Sequence, residues 1–150
     1  MSGLTLRNND SGSKEIVQGG AARLRILKGF ESITETVAST LGPFGRSVII
    51  EDPHGRPQIT RDGHTIARSI ELWDRVADMG ARILREITYQ TDDRVGDGTT
   101  TAAVLAGKIA REGVKAITAG LAPLVVKRGI DRATAAALVG LERRARPIRS

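Results

Sequence analysis

Apolar residues recur at helical spacing from Ala21 onward: Ile26, Phe30, Ile33 and Val37 fall three or four positions apart and mark one face of an amphipathic helix. TLGPFGR, residues 40–46, ends that pattern, because Gly42, Pro43 and Gly45 break a helix and shape a loop instead. The β-branched SVII at 47–50 and the shorter QIT at 58–60 read as strands. DPHGRP between them, residues 52–57, has turn chemistry, so a hairpin is expected. RDGHTIARSI, residues 61–70, opens with Asp62 and Gly63 where a helix start is capped.

Three long helices are expected to follow. Val76, Met79, Gly80, Ile83, Leu84 and Ile87 keep to one face of the first. Ala102, Leu105, Ala106, Ile109, Ala110, Gly113 and Ile117 do so in the second, and Val126, Ile130, Ala133, Ala137, Leu138 and Leu141 in the third. Gly80, Ala106 and Ala110 are small enough to let helices approach closely, and Pro123 suits a first helical turn. The opening dozen residues are polar and read as loose. No internal repeat or low-complexity segment occurs. The expected fold is mainly α, with one small β-hairpin.

With 150 residues there is room for one domain with a core. Aromatics make up only 3%, so that core must be aliphatic. No cysteine occurs, which removes disulfides, thiol nucleophiles and thiolate zinc sites. The formal charge of +6 invites a nucleic-acid reading. However, acids and bases interleave along most of the chain, and only the tail is one-sided, with Arg143, Arg144, Arg146 and Arg149 against Glu142. That tail has no interleaved aromatics and no base-reading motif accompanies it, so the charge is read as a solvated surface. His54 falls in the turn and His64 at a helix start, and neither has the carboxylate company of a metal site. No segment has the length of a membrane span or the apolar core of a signal peptide, and a cytoplasmic location is expected.

RVGDGTTTAAVL, residues 94–105, sets two glycines around an acid and three threonines at the start of the second long helix. A helix N-terminus offers unpaired amides and the positive end of a dipole, which suits an anion. Gly98 admits a phosphate close to the backbone, and Thr99, Thr100 and Thr101 add donors. Asp97 would repel a bare phosphate. It suits a divalent cation bound between the two, and Mg²⁺ favours carboxylate and phosphate oxygens. A plain helix cap uses the same residue types, so both readings stand on this stretch alone. No G-x-x-x-x-G-K-[ST] loop is present. TLGPFGR offers a second backbone-lined loop, and ITRDGHTIA, residues 59–67, repeats the acid–glycine–hydroxyl theme with Arg61 beside it. Three such loops exceed what capping needs. If they converge, they form a pocket for a nucleoside triphosphate.

TLGPFGR, ITRDGHTIARSIEL, MGARILREI, VGDGTTTAAVLA and LVVKRGID occur in that order. From about Ala21 to the C-terminus the chain resembles the N-terminal part of a group I chaperonin of the GroEL type. The resemblance implies the first half of the equatorial domain over residues 21–146, after a polar extension at 1–20 and before a link to an intermediate domain at 147–150. It implies binding of ATP with Mg²⁺ and K⁺. Thr40, Leu41, Gly42 and Pro43 match the loop that touches nucleotide, and Arg61 stands where a lysine is usual in the same pocket. Asp97 matches the Mg²⁺ ligand, Gly98, Thr99, Thr100 and Thr101 the phosphate contacts, and Asp62 an acid near the γ-phosphate and the attacking water. Lysine to arginine keeps charge but changes shape.

The resemblance also implies ring partners of the same kind, unfolded protein clients and a co-chaperonin, the last two through domains this chain lacks. The aspartate that activates water in the family lies in the absent portion as well. The chain therefore reads as a truncated nucleotide-binding segment of an ATP-dependent folding chaperonin, with little or no turnover alone. The alternative is a non-catalytic nucleotide-binding or subunit-interaction module. Its long helices are expected to leave apolar surface uncovered, which favours self-association.

Overall fold

The computed structural model describes residues 15–52 and 54–147. The opening polar dozen, Pro53 of the turn, and the link at 148–150 with Arg149 of the basic tail lie outside the described residues. Among those described, five helices and a two-stranded sheet form: α1 (Gly19–Ala38), β1 (Val48–Glu51), β2 (Pro57–Thr60), α2 (Gly63–Ser69), α3 (Arg75–Val95), α4 (Thr99–Thr118) and α5 (Pro123–Arg144). The mainly α fold with one hairpin is the architecture expected. The chain divides into one compact unit running to Arg111 and a second from Glu112 onward.

In the first unit the hairpin is antiparallel, with Val48 opposite Thr60 and Ile50 opposite Gln58. Asp52 closes its turn: one carboxylate oxygen accepts from the amides of His54 and Arg56, both at 2.8 Å. The core joins Phe30, Ile33 and Val37 of α1 to Ile66 and Ala67 of α2, Ala81 and Leu84 of α3, and Ala103 of α4. α1 and α3 meet through small residues. A Cβ on Gly29 would lie 1.7 Å from the Ala77 carbonyl oxygen, and one on Gly80 would lie 1.9 Å from that of Ile26. Backbones this close can be met only by glycine.

That close approach decides which face of α3 is covered. Ala77, Gly80, Ala81, Leu84 and Thr88 are buried, whereas Met79 and Ile83 remain 55% and 50% exposed. The sequence expectation placed Met79 and Ile83 on the same apolar face as Leu84. The small residues turned the helix away from them. α4 behaves likewise: Thr99, Ala103 and Gly107 are buried, Ala106 and Ala110 are half-covered, and Leu105 and Ile109 face outward.

The second unit holds the end of α4 and all of α5. A left-handed Gly120 (φ +100°) ends the turn after α4, Pro123 begins α5 as expected, and a Cβ on Gly113 would lie 3.8 Å from Val126 Cγ1. α5 fully buries none of its residues: Val126 and Ile130 are half-covered, and Leu138 and Leu141 further along the helix are exposed.

Candidate nucleotide site

Of three helices in the first unit, two begin on an aspartate cap and the third does not. Asp62 caps α2, its Oδ2 accepting from the Thr65 amide at 2.8 Å and the Thr65 hydroxyl at 2.5 Å. Asp74 caps α3, its Oδ1 accepting from Val76 and Ala77. At α4 the residue in the cap place is Gly98 (φ +80°), which has no side chain to give. Asp97 does not substitute for it, because its Oδ1 accepts from the adjoining Gly98 amide at 2.6 Å. Among the described residues no side chain therefore accepts from the first-turn amides of α4, which lie at the positive end of the helix dipole.

That start faces a hollow of about 260 Å³ lined by residues 40–42, 61–63 and 97–101. α1 runs out into Thr40, whose hydroxyl donates to the Val37 carbonyl at 2.8 Å. Gly42 (φ +78°) then turns the chain in the left-handed region. Arg61, at the junction of β2 and α2, donates to the Gly45 carbonyl. Gly63 seats α2 against α4, since a Cβ there would lie 2.7 Å from the Thr100 hydroxyl and 3.0 Å from that of Thr99. Thr99 is buried, Thr100 half-buried and Thr101 exposed.

The charges at this hollow are mixed. Burial alone would raise the Asp62 carboxyl, but hydrogen bonds from the Thr65 hydroxyl and amide and the His64 amide outweigh it and hold it below the ordinary carboxylate range. Asp62 is therefore a charged cap and a weak base. Asp97 is exposed, and its Oδ2 makes no hydrogen bond among the described residues. No group of three or more His, Cys, Asp or Glu is gathered among the described residues.

Of the residues singled out in the sequence, Thr40, Leu41, Gly42, Arg61, Asp62, Asp97, Gly98, Thr99, Thr100 and Thr101 line this one hollow. Pro43 continues the same loop without lining it. Gly63 of the ITRDGHTIA loop also lines it, although no contact was assigned to that residue by itself. The signal available was the repeat of acid, glycine and hydroxyl in Asp62, Gly63 and Thr65 and again in Asp97, Gly98 and Thr99. His64 is half-buried 6.0 Å from the Tyr89 ring, its Nδ1 without a partner among the described residues.

The TCP-1/cpn60 chaperonin family matches residues 33–150. A protein called Chaperonin GroEL 2 from Cereibacter sphaeroides is 48% identical over 136 residues, and a second of that name, from a particular strain of the same species, is equally similar. The match covers 91% of this chain and 25% of each relative, so the chain spans about a quarter of the length of the curated relatives it matches.

Proposed function

Because the chain belongs to the TCP-1/cpn60 chaperonin family, we propose that it serves as the N-terminal nucleotide-binding segment of an ATP-dependent chaperonin subunit that assists protein folding. One observation carries this reading: three separated stretches, 40–42, 61–63 and 97–101, line one hollow onto which an uncapped helix start opens. Within it, Thr99, Thr100 and Thr101 hold phosphate oxygens by amide and hydroxyl, and Gly98 lets them approach. Thr40, Leu41 and Gly42 form another part of the wall, and Pro43 continues their loop. Asp97 carries a carboxylate oxygen with no other partner, a donor of the hard type Mg²⁺ takes. When bound there, Mg²⁺ neutralises phosphate charge. Since no wider cluster of acids supports Asp97 among the described residues, the residues fit a metal that arrives with the nucleotide. Residues 21–146 then form the first half of an equatorial domain. The further proposals are a cytoplasmic ring of like subunits, clients, and a co-chaperonin.

The test is thermal melting of the 150-residue chain with and without Mg-ATP. A ligand that binds only the native state at a hundredfold excess over Kd stabilises it by about 2.7 kcal/mol. A rise of several degrees supports the reading, and an unmoved transition refutes it.

The cap role of Asp62 favours a second reading, a module that binds nucleotide without hydrolysing it. Its one hydrogen-bonded oxygen and lowered basicity leave little capacity to activate water. Phosphate release at the buffer background alongside a clear Mg-ATP melting shift supports the module. Release well above background supports the hydrolytic subunit.

A further inference from the structure

We infer that Arg61 is a positioning residue: its guanidinium clasps the Gly45 carbonyl and holds the 40–46 loop in the shape that walls the hollow. The consequence for ligand binding rests on the nucleotide reading above; the clasp itself does not.

The loop is tied to itself by short backbone bonds. The Leu41 amide donates to the Ala38 carbonyl at 3.1 Å, the Gly45 amide to that of Gly42 at 3.0 Å, and the Arg46 amide to that of Ser39 at 2.8 Å. These bonds close the loop but do not fix it against the rest of the site. Among the described residues, the side-chain hydrogen bond that reaches it from another element is the one from Arg61 Nη2 to Gly45. Its origin matters. Arg61 sits between β2 and Asp62, one residue from the α2 cap, so the clasp ties the loop that follows α1 to the start of α2 beside the hollow that Arg61 lines.

Gly45 is shaped for this contact. A Cβ there would stand 2.1 Å from the Thr40 carbonyl oxygen and 3.0 Å from Arg61 Nη2. The Thr40 carbonyl is the nearer of the two and leaves no room for a side chain at residue 45, and Thr40 itself lines the hollow. A charged donor on a neutral carbonyl makes a stronger bond than an amide pair. In this arrangement Arg61 would have to release Gly45 to turn that Nη2 toward a phosphate. Its cation remains at the rim, but its place in the site is to keep Thr40, Leu41 and Gly42 where they are.

The experiment measures amide hydrogen exchange by NMR in the nucleotide-free 150-residue chain, comparing the unchanged protein with R61M and R61K. Arg61 is exposed, so R61M removes a donor without opening a core. The Gly45 and Arg46 amides in R61M are expected to exchange roughly threefold faster or more, the size of losing one net hydrogen bond that protects a local opening. Amides in the middle of α3 should keep their rates, and R61K should restore protection at the loop. G45A should raise the same amides, with R61M adding little on top of it, as expected when two changes break one contact. If R61M fails to fold, R61Q is read in the same way. Unchanged loop exchange overturns the inference, and overturns it also if Mg-ATP affinity falls at the same time, since Arg61 would then be a phosphate contact. Because the readout needs no nucleotide, a chain that binds no Mg-ATP but shows the faster loop exchange refutes the proposed function and keeps the clasp.

Discussion

Gly63 rests directly on Thr100: a side chain at residue 63 would come within 2.7 Å of the Thr100 hydroxyl and 2.9 Å of its amide. The glycine is there for space, since its φ is not in the left-handed region. Gly98 differs, with φ at +80° and nothing near a would-be Cβ. Gly63→Ala is expected to push the starts of α2 and α4 apart and cost about 1–3 kcal/mol through overpacking. Melting should show a lower transition and a smaller Mg-ATP shift together. Gly98→Ala should cost about 1–2 kcal/mol through backbone strain alone. An unchanged melting transition in Gly63→Ala would show that the two helix starts are not in contact.

Asp97 leads to a prediction about metal. With no wider acidic cluster among the described residues, Mg²⁺ without nucleotide should leave the melting temperature unchanged at millimolar concentration. ATP with Mg²⁺ should raise it more than ATP with a chelator does. Asp97→Ala should remove that difference while leaving the ligand-free transition within about 0.5 kcal/mol, because Asp97 is exposed and caps no helix. A shift produced by Mg²⁺ alone would contradict the assignment.

Asp74 predicts a pH dependence. The Arg25 guanidinium, at 2.7 and 3.1 Å, is the main reason its carboxyl falls from 3.8 to about 2; burial opposes this, and the Ala77 and Val76 amides assist. A carboxyl lowered by folding stabilises the native state above its unfolded value and loses that contribution as pH falls through the folded one. The Asp74 contribution should therefore be complete above pH 4 and fade toward pH 2. Its carboxylate is well exposed, so the ion pair itself contributes little, and the cap is the larger part. Asp74→Ala should cost about 1 kcal/mol at neutral pH. Asp74→Asn, which still caps, should cost less. Urea titrations at several pH values read both, and the gap between Asp74→Asn and the unchanged chain should close near pH 2.

The elements were legible because their signals are local. Gly42 and Pro43 break a helix wherever they stand, Asp62 caps, and Pro123 starts a turn, so the hairpin and the helix starts fell where expected. The buried faces were less legible. Periodicity placed Met79 and Ile83 inward, but the contact between α1 and α3 was decided by Gly29, Ala77 and Gly80, whose small size permits an approach that depends on both helices at once. The site shows the same division. The acid, glycine and threonine chemistry of residues 97–101 can be read in one stretch, whereas its meeting with residues 40–42 and 61–63 is a property of the fold. That the Asp97 carboxylate accepts from the adjoining Gly98 amide rather than from a first-turn amide of α4 is likewise a detail of the folded backbone, which residue types alone do not specify.

α5 supports a final prediction. It buries no residue, and Leu124, Val125, Leu138, Val139 and Leu141 are each exposed by 47% or more. Apolar area left in water forfeits about 25 cal/mol per Å², and a helix whose face is bare is stabilised by covering it. Sedimentation velocity of the chain over a range of concentrations should therefore show association that grows with concentration. Replacing Leu138 and Leu141 with lysine should shift the distribution toward monomer, because the two residues lie three positions apart on one side of α5. The melting transition of the double variant at low concentration should stay within about 1 kcal/mol of the parent, since neither side chain is in the core. Leu84→Lys provides the contrast: Leu84 is fully buried, and an unpaired charge there should abolish cooperative melting. A monomer at every concentration in the unchanged chain, or an equal loss of stability in the α5 and Leu84 variants, would mean that α5 is covered in solution.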